Sequence, residues 1–143
     1  MTTQEQLKQV FDDNFVAYFR SHVAHVNIRG RNFHSDHELL GGIYEELQGQ
    51  IDVIAELLRS LDEFMPTSIG EVVTGSEILD MACEGTADQL LAEVASDLGQ
   101  LKICYEELIR IADNEGYLEI SNYAQDRVLS LAKHLWMLNA TLD

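Results

Sequence analysis

The sequence predicts an all-α chain: a four-helix bundle with a short helix in the connection between the second and third helices. Three observations predict it. Pro66 is the one proline among 143 residues, so little else removes a backbone donor from a long helix. Apolar residues recur at steps of three and four on both sides of it, the spacing that lines one helical face. The residues that interrupt helices, Gly30 and the run Asn114 to Gly116, fall between those stripes.

The first helix, about 3 to 28, carries Leu7, Val10, Phe11, Phe15, Tyr18, Phe19 and Val26. Gly30 then breaks the chain. The second has the clearest rhythm, Leu40, Tyr44, Leu47, Ile51, Ile54, Leu58 and Leu61, one apolar face along about six turns. A longer connection, about 63 to 85, holds Pro66, Gly70, Gly75 and Gly85 and is read as containing a short helix near 75 to 82. Its length suits a crossover, so the helices need not run simply up-down-up-down. Thr86 followed by Asp88 and Gln89 reads as an N-terminal cap. The third helix then runs through Ala87, Leu91, Val94, Leu98, Leu101, Tyr105, Leu108 and Ala112, and the last, about 118 to 142, carries Ile120, Ala124, Val128, Leu131, Leu135 and Leu138. With no repeat, linker or low-complexity segment, residues 1–143 are expected to form a single domain.

Charge excludes some functions. The formal charge is −16, from 25 acids against 9 bases, and the bases are spread along the chain, so it should repel nucleic acid and attract cations. The start, MTTQEQLKQVF, lacks the basic and apolar regions of a signal peptide, and no stretch approaches a membrane span. A cytoplasmic protein without membrane contact is the expectation. Cys83 and Cys104 lack metal-type spacing and read as buried free thiols.

His22, His25, His34 and His37 crowd around Gly30, four of the chain's five histidines. Imidazole with carboxylate is a ligand set for iron, zinc or manganese. Asp52 and Glu56, at i and i+4 on the second helix, supply carboxylates, although the stripe they belong to, Glu45, Gln48, Asp52, Glu56, Arg59 and Glu63, also reads as a solvated face. His25 and His37 can converge across the turn, or serve only as surface or capping side chains. No histidine has a glutamate three residues before it, which argues against a di-metal site inside the bundle. Asp52 lies about 22 Å along the helix from His37 at ~1.5 Å per residue. If these four residues share a metal, part of the set comes from a second copy, and a symmetric dimer interface follows.

These residues resemble the Dps family, the miniferritins of the ferritin-like superfamily. The family signature runs His-Trp-Asn-x-x-Gly-x-x-Phe-x-x-x-His, then Tyr, then Asp-x-x-x-Glu; here HVNIRGRNFHSDH, Tyr44 and DVIAE fit without a gap. KHLWMLNATL, 133 to 142, is similar to the family's last helix and ADNEG, 112 to 116, to its preceding turn. The resemblance implies a hollow homo-dodecamer of ferritin-like four-helix subunits. It would oxidise Fe(II), preferably with hydrogen peroxide rather than oxygen, and store ferric mineral, protecting against oxidative damage. It places the ferroxidase site at the two-fold interface, with His25 and His37 from one subunit and Asp52 and Glu56 from its partner as metal ligands and catalytic residues. Zinc or manganese could take the same position.

Departures bear on that reading. The signature tryptophan is Val26, and a family acid four residues after the second histidine is Gly41; Asp36, Glu38 or Glu45 could substitute for it. Where the family collects acids around an ion pore, this chain has Asp113, Glu115, Glu119 and Asp126. Two rival functions follow. One is a DNA-binding nucleoid protein, disfavoured by a single lysine in the first nineteen residues. The other is a cage or interaction bundle whose ferroxidase activity is weakened or lost, which Val26 and Gly41 favour.

Overall fold

In a computed structural model, which describes residues 1–143, the chain is five helices and no strands: α1 (Thr3–Asn27), α2 (Phe33–Ser60), α3 (Ile69–Gly75), α4 (Ala87–Glu115) and α5 (Leu118–Leu142). Side chains cap the starts of α1, α3 and α4. Thr2 accepts the Glu5 amide at 3.1 Å to open α1. Thr86 and Gln89 form a reciprocal capping box, at 3.2 and 2.8 Å, that opens α4. Gly116, at φ +84°, closes α4 in the left-handed conformation that glycine adopts without a Cβ penalty.

The long helices pack as two hairpins, α1 with α2 and α4 with α5, joined through an α1–α4 contact. Thr3 meets Glu115 and Arg20 meets Asp97, so α1 and α4 are antiparallel. Since α1 and α2 are antiparallel as well, α2 and α4 run the same way, and the connection from 61 to 86 crosses the length of the bundle. Leu40, Leu47, Ile54 and Leu58 from α2 and Leu91, Val94, Leu98, Leu101, Tyr105 and Leu108 from α4 are buried in one core, each large apolar side chain contributing roughly 1.5–3 kcal/mol. Phe19 and Val26, part of the apolar pattern of α1, are instead 55% and 60% exposed. They lie on the outer side of a helix whose inner side is already filled by Leu7, Val10, Phe11, Ala17 and Ala24.

Two limits differ from the sequence reading. α2 starts at Phe33 rather than with its apolar stripe at Leu40, because its first turns are polar. The short helix is Ile69–Gly75, not 75 to 82. Ser68 accepts the Glu71 amide at 3.1 Å to start it. Asp13 then captures the Ser76 hydroxyl at 3.2 Å and the Glu77 amide at 2.8 Å, drawing onto α1 the backbone donor that a continuing helix would use. Cys83 and Cys104 are buried and free.

Candidate metal centre

The turn between α1 and α2 sets the histidines. The Ile28 amide donates back to the Ala24 carbonyl at 3.0 Å, buried Ile28 pins the chain, and Gly30 at φ +131° reverses it. His25, one turn before the end of α1, then lies across from His37, one turn into α2. Each ring donates from Nδ1 to the other residue's backbone carbonyl at 2.7 Å, and the rings stack with centroids 3.8 Å apart. A carbonyl only accepts, so both bonds place the proton on Nδ1 and leave Nε2 with its lone pair. That is the form of imidazole that binds a metal, oriented by the same kind of carbonyl contact that metal-ligating histidines use. Both rings are half-buried.

Gly41 is part of this arrangement. A Cβ built on it would lie 3.0 Å from His25 Cε1 and 3.2 Å from Nδ1; the absence of a side chain lets the ring lie directly on α2. The proposed stand-ins for the missing acid are engaged or turned away. Asp36 is buried, with its carboxyl raised by burial and then by Asp88 at the start of α4. Glu38 pairs with His34 at 3.1 Å on the surface. Glu45 is exposed on α2.

Asp52 and Glu56 are both exposed, about four and five turns along α2 from His37. Asp52 raises the Glu56 carboxyl, first through a shared hydrogen bond and then through its charge, the effect that neighbouring carboxylates have on each other. Within one subunit no three His, Cys, Asp or Glu side chains converge as a metal site. The histidine pair and the carboxylate pair are therefore separate within the subunit. Both suit iron chemically: neutral nitrogen donors for Fe(II), and hard oxygen donors for Fe(III).

The acids near the α4–α5 turn divide. Asp113, Glu119 and Asp126 are exposed. Glu115 is committed: it accepts the Thr3 amide at 2.6 Å and the Thr3 hydroxyl at 2.5 Å, and these bonds lower its carboxyl pKa. It caps the start of α1.

Other polar features escaped the sequence reading. Glu46 on α2 is met by Arg127 at 3.0 Å and by Ser130 and His134, all from α5. Next to them the Tyr123 hydroxyl donates to Gln50 at 2.7 Å and lies 3.4 Å from that of Tyr105. The spacing of Arg127, Ser130 and His134 along α5 was the available signal. His22, near the histidine pair, stacks on Tyr44 with centroids 4.1 Å apart and planes 2° from parallel.

Comparison with known proteins places this geometry. A family model described as a ferritin-like domain matches residues 4–143. A DNA protection during starvation protein of Helicobacter pylori is 27% identical, with 99% of each chain covered. Antigen TpF1 of Treponema pallidum is 33% identical, over 96% of this chain and 78% of its own. The crystal structure of Dps from Listeria monocytogenes superposes with a TM-score of 0.94 at 26% identity, covering 99% of this chain and 94% of that one.

Proposed function

Because the chain belongs to the Dps family of ferritin-like proteins, the miniferritins, we propose that it oxidises Fe(II), preferably with hydrogen peroxide, at a site shared by two subunits. The reciprocal His25–His37 pair carries this reading, since it fixes two metal-ready nitrogens side by side with no metal needed to hold them. Asp52 and Glu56 of a two-fold partner complete the set. Iron is the substrate; zinc or manganese would compete for the same donors.

In this reading His25 and His37 bind and orient Fe(II) through Nε2. Asp52 and Glu56 neutralise the charge gained on oxidation. Electron transfer belongs to iron and oxidant, and the protein supplies position and charge. With glycine at position 41, no side chain from that turn reaches a second iron, so one tight position per site, two at each two-fold interface, is expected.

Assembly into a homo-dodecamer storing ferric mineral is part of the proposal. Exposed Phe19, Val26 and Ile69 support it, since large apolar side chains left open on one subunit suit burial against another. Exposed Asp113, Glu119 and Asp126 would draw cations toward a pore. No helix is long and apolar enough to cross a membrane, in keeping with a cytoplasmic location. The charge of −16 leaves few cations for phosphate, so protection of DNA would come from removing iron and peroxide, without DNA binding. The second reading, a cage with weakened ferroxidase activity, rests on Gly41 and Val26.

Asp52→Asn tests the site, since it removes a charge and nearly preserves shape. We expect the cage to assemble, tight Fe(II) binding to disappear from calorimetric titration, and peroxide-driven oxidation to slow by about tenfold or more. Oxidation at the original rate would remove Asp52 from the site.

A further inference from the structure

α3 cannot hold its shape alone. Its seven residues make about two turns, far short of the roughly 12–15 residues at which an isolated helix becomes even marginal in water. It depends on its seat, and that seat is α1. Val72 is its single buried side chain. The rest of the attachment is polar and gathers at its C-terminal end, where Gln9 donates to the Gly75 carbonyl at 2.9 Å and Asp13 accepts the Ser76 hydroxyl and the Glu77 amide.

Asp12 is the member of this seat that fits badly when ionised. One of its carboxyl oxygens, Oδ2, lies so close to Gly75 that a Cβ there would sit 2.2 Å from it. The other, Oδ1, is buried without a hydrogen-bond partner, and the residue is 9% exposed. The charges around it are mostly of its own sign: Asp13 on α1 and Glu71 on α3, with the Cys104 thiol facing from α4. Lys8 is the opposing base, and it is already paired with Glu63 at 3.0 Å. The end of a helix adds to the mismatch, since its last carbonyls carry partial negative charge and have no intrahelical donors. An ionised carboxylate only accepts; a protonated carboxyl also donates. The proton therefore makes Asp12 a suitable neighbour for the end of α3.

We propose that Asp12 is a proton-controlled latch, which holds α3 on α1 while it carries its proton and loosens α3 when it ionises. Burial, then the charges of Asp13 and Glu71, raise the carboxyl in the seated state to about 7. When α3 lifts away the carboxyl returns to solvent and to its ordinary range. The loosened state then binds the proton less tightly, so each rise in pH between those two values shifts the balance toward release, and above about pH 7 the shift is complete.

Release on this basis is local. Lys8 holds Glu63 before α3, and Gln100 of α4 holds Glu77 after it, at 3.0 and 3.1 Å, so the four long helices keep their packing. What moves is one wall of a groove of about 270 Å³, lined by Phe15, Val16 and Phe19 of α1, Ile69 and Val73 of α3, and Asp80. An apolar strip of α1 is thus covered in mild acid and uncovered more often as the pH rises.

Hydrogen exchange of the intact protein, followed by mass spectrometry at pH 5 and pH 8 and corrected for the intrinsic pH dependence of exchange, reads the latch directly. Amides of residues 72–76 should lose protection by about tenfold or more at pH 8 relative to pH 5, while those of α4 keep theirs. Asp12→Asn retains a donor and cannot ionise, and should show the same α3 protection at both values. Glu71→Gln removes one like charge and leaves Asp12 in place, and should reduce the loss without abolishing it. Equal protection of α3 at the two pH values in the unmodified protein, an equal loss in α3 and α4, or a loss in Asp12→Asn as large as in the unmodified protein would overturn the latch.

Discussion

Glu46 and Asp12 are carboxylates drawn into the same bundle and held in opposite ways. Glu46 bridges α2 to α5, and although burial works against its charge, His134, Ser130 and Arg127 hold its pKa down at about 2. Asp12 faces α3 from α1 and meets no donor: one of its oxygens is buried without a hydrogen-bond partner. Burial first, then the charges of Asp13 and Glu71, raise it to about 7, with only Lys8 opposing. Depth alone does not decide the ionisation of a buried acid; the donors that accompany it do.

The largest expected effect comes from breaking the paired side. Glu46→Ala strands Arg127, which already has two buried nitrogens, Nε and Nη2, without partners. Removing one member of such a pair costs about 3–5 kcal/mol, and chemical denaturation of the variant should show it. Replacing Arg127 and Glu46 together by apolar residues of similar volume should recover most of the loss.

The next effect is on the unpaired side and depends on pH. A raised folded pKa means that Asp12 favours the fold fully below its ordinary value of 3.8 and progressively less as pH rises through about 7. Between pH 5 and 7 the loss should be on the order of 2 kcal/mol, after allowance for the solvent that still reaches the site. Asp12→Asn should flatten this slope and raise the melting temperature at pH 8 while leaving pH 4 unchanged. Glu46 acts at the other end: its lowered pKa supports the fold above the ordinary 4.5 and loses that effect as pH falls toward about 2. The contribution of these two groups should therefore be greatest at about pH 4 to 5 and fall toward about pH 7, and a maximum at pH 8 would show that the two sites do not differ as described.

The smallest test sharpens the comparison. Tyr123→Phe removes the hydroxyl that joins Gln50 and Tyr105 beside the Glu46 group. A loss of about 1 kcal/mol is expected, the net value of an ordinary internal hydrogen bond.

The same contrast explains what could be read from the sequence. The apolar stripes of α2 and α4 required only local periodicity, and the Thr86–Gln89 box only neighbours three apart, so both were legible. The short helix was read as 75 to 82, which puts Gly75 at its start. It is an end, where a side chain would collide with Asp12 from α1, and that constraint lies more than sixty residues away in sequence. At the candidate site, the approach of His25 to His37 was visible from their spacing around Gly30. Their exchange of carbonyl bonds was not, because it depends on Gly41 leaving room for a ring. Glu46 itself gave no warning, since its partners are on α5, and their spacing there was the one signal.

The exchange of bonds between His25 and His37 has a consequence for the energetics of iron capture. Flexible ligands lose conformational entropy when a metal arrives, roughly 0.5–1.5 kcal/mol for each side chain immobilised. Here both rings are already fixed by backbone carbonyls at 2.7 Å, so that loss belongs to folding and is absent from binding. Two such side chains amount to about 1–3 kcal/mol, a factor of roughly five to a hundred in affinity at no cost in added ligands. In the proposed site the turn would need no rearrangement when iron leaves, and the histidine pair would keep its starting geometry.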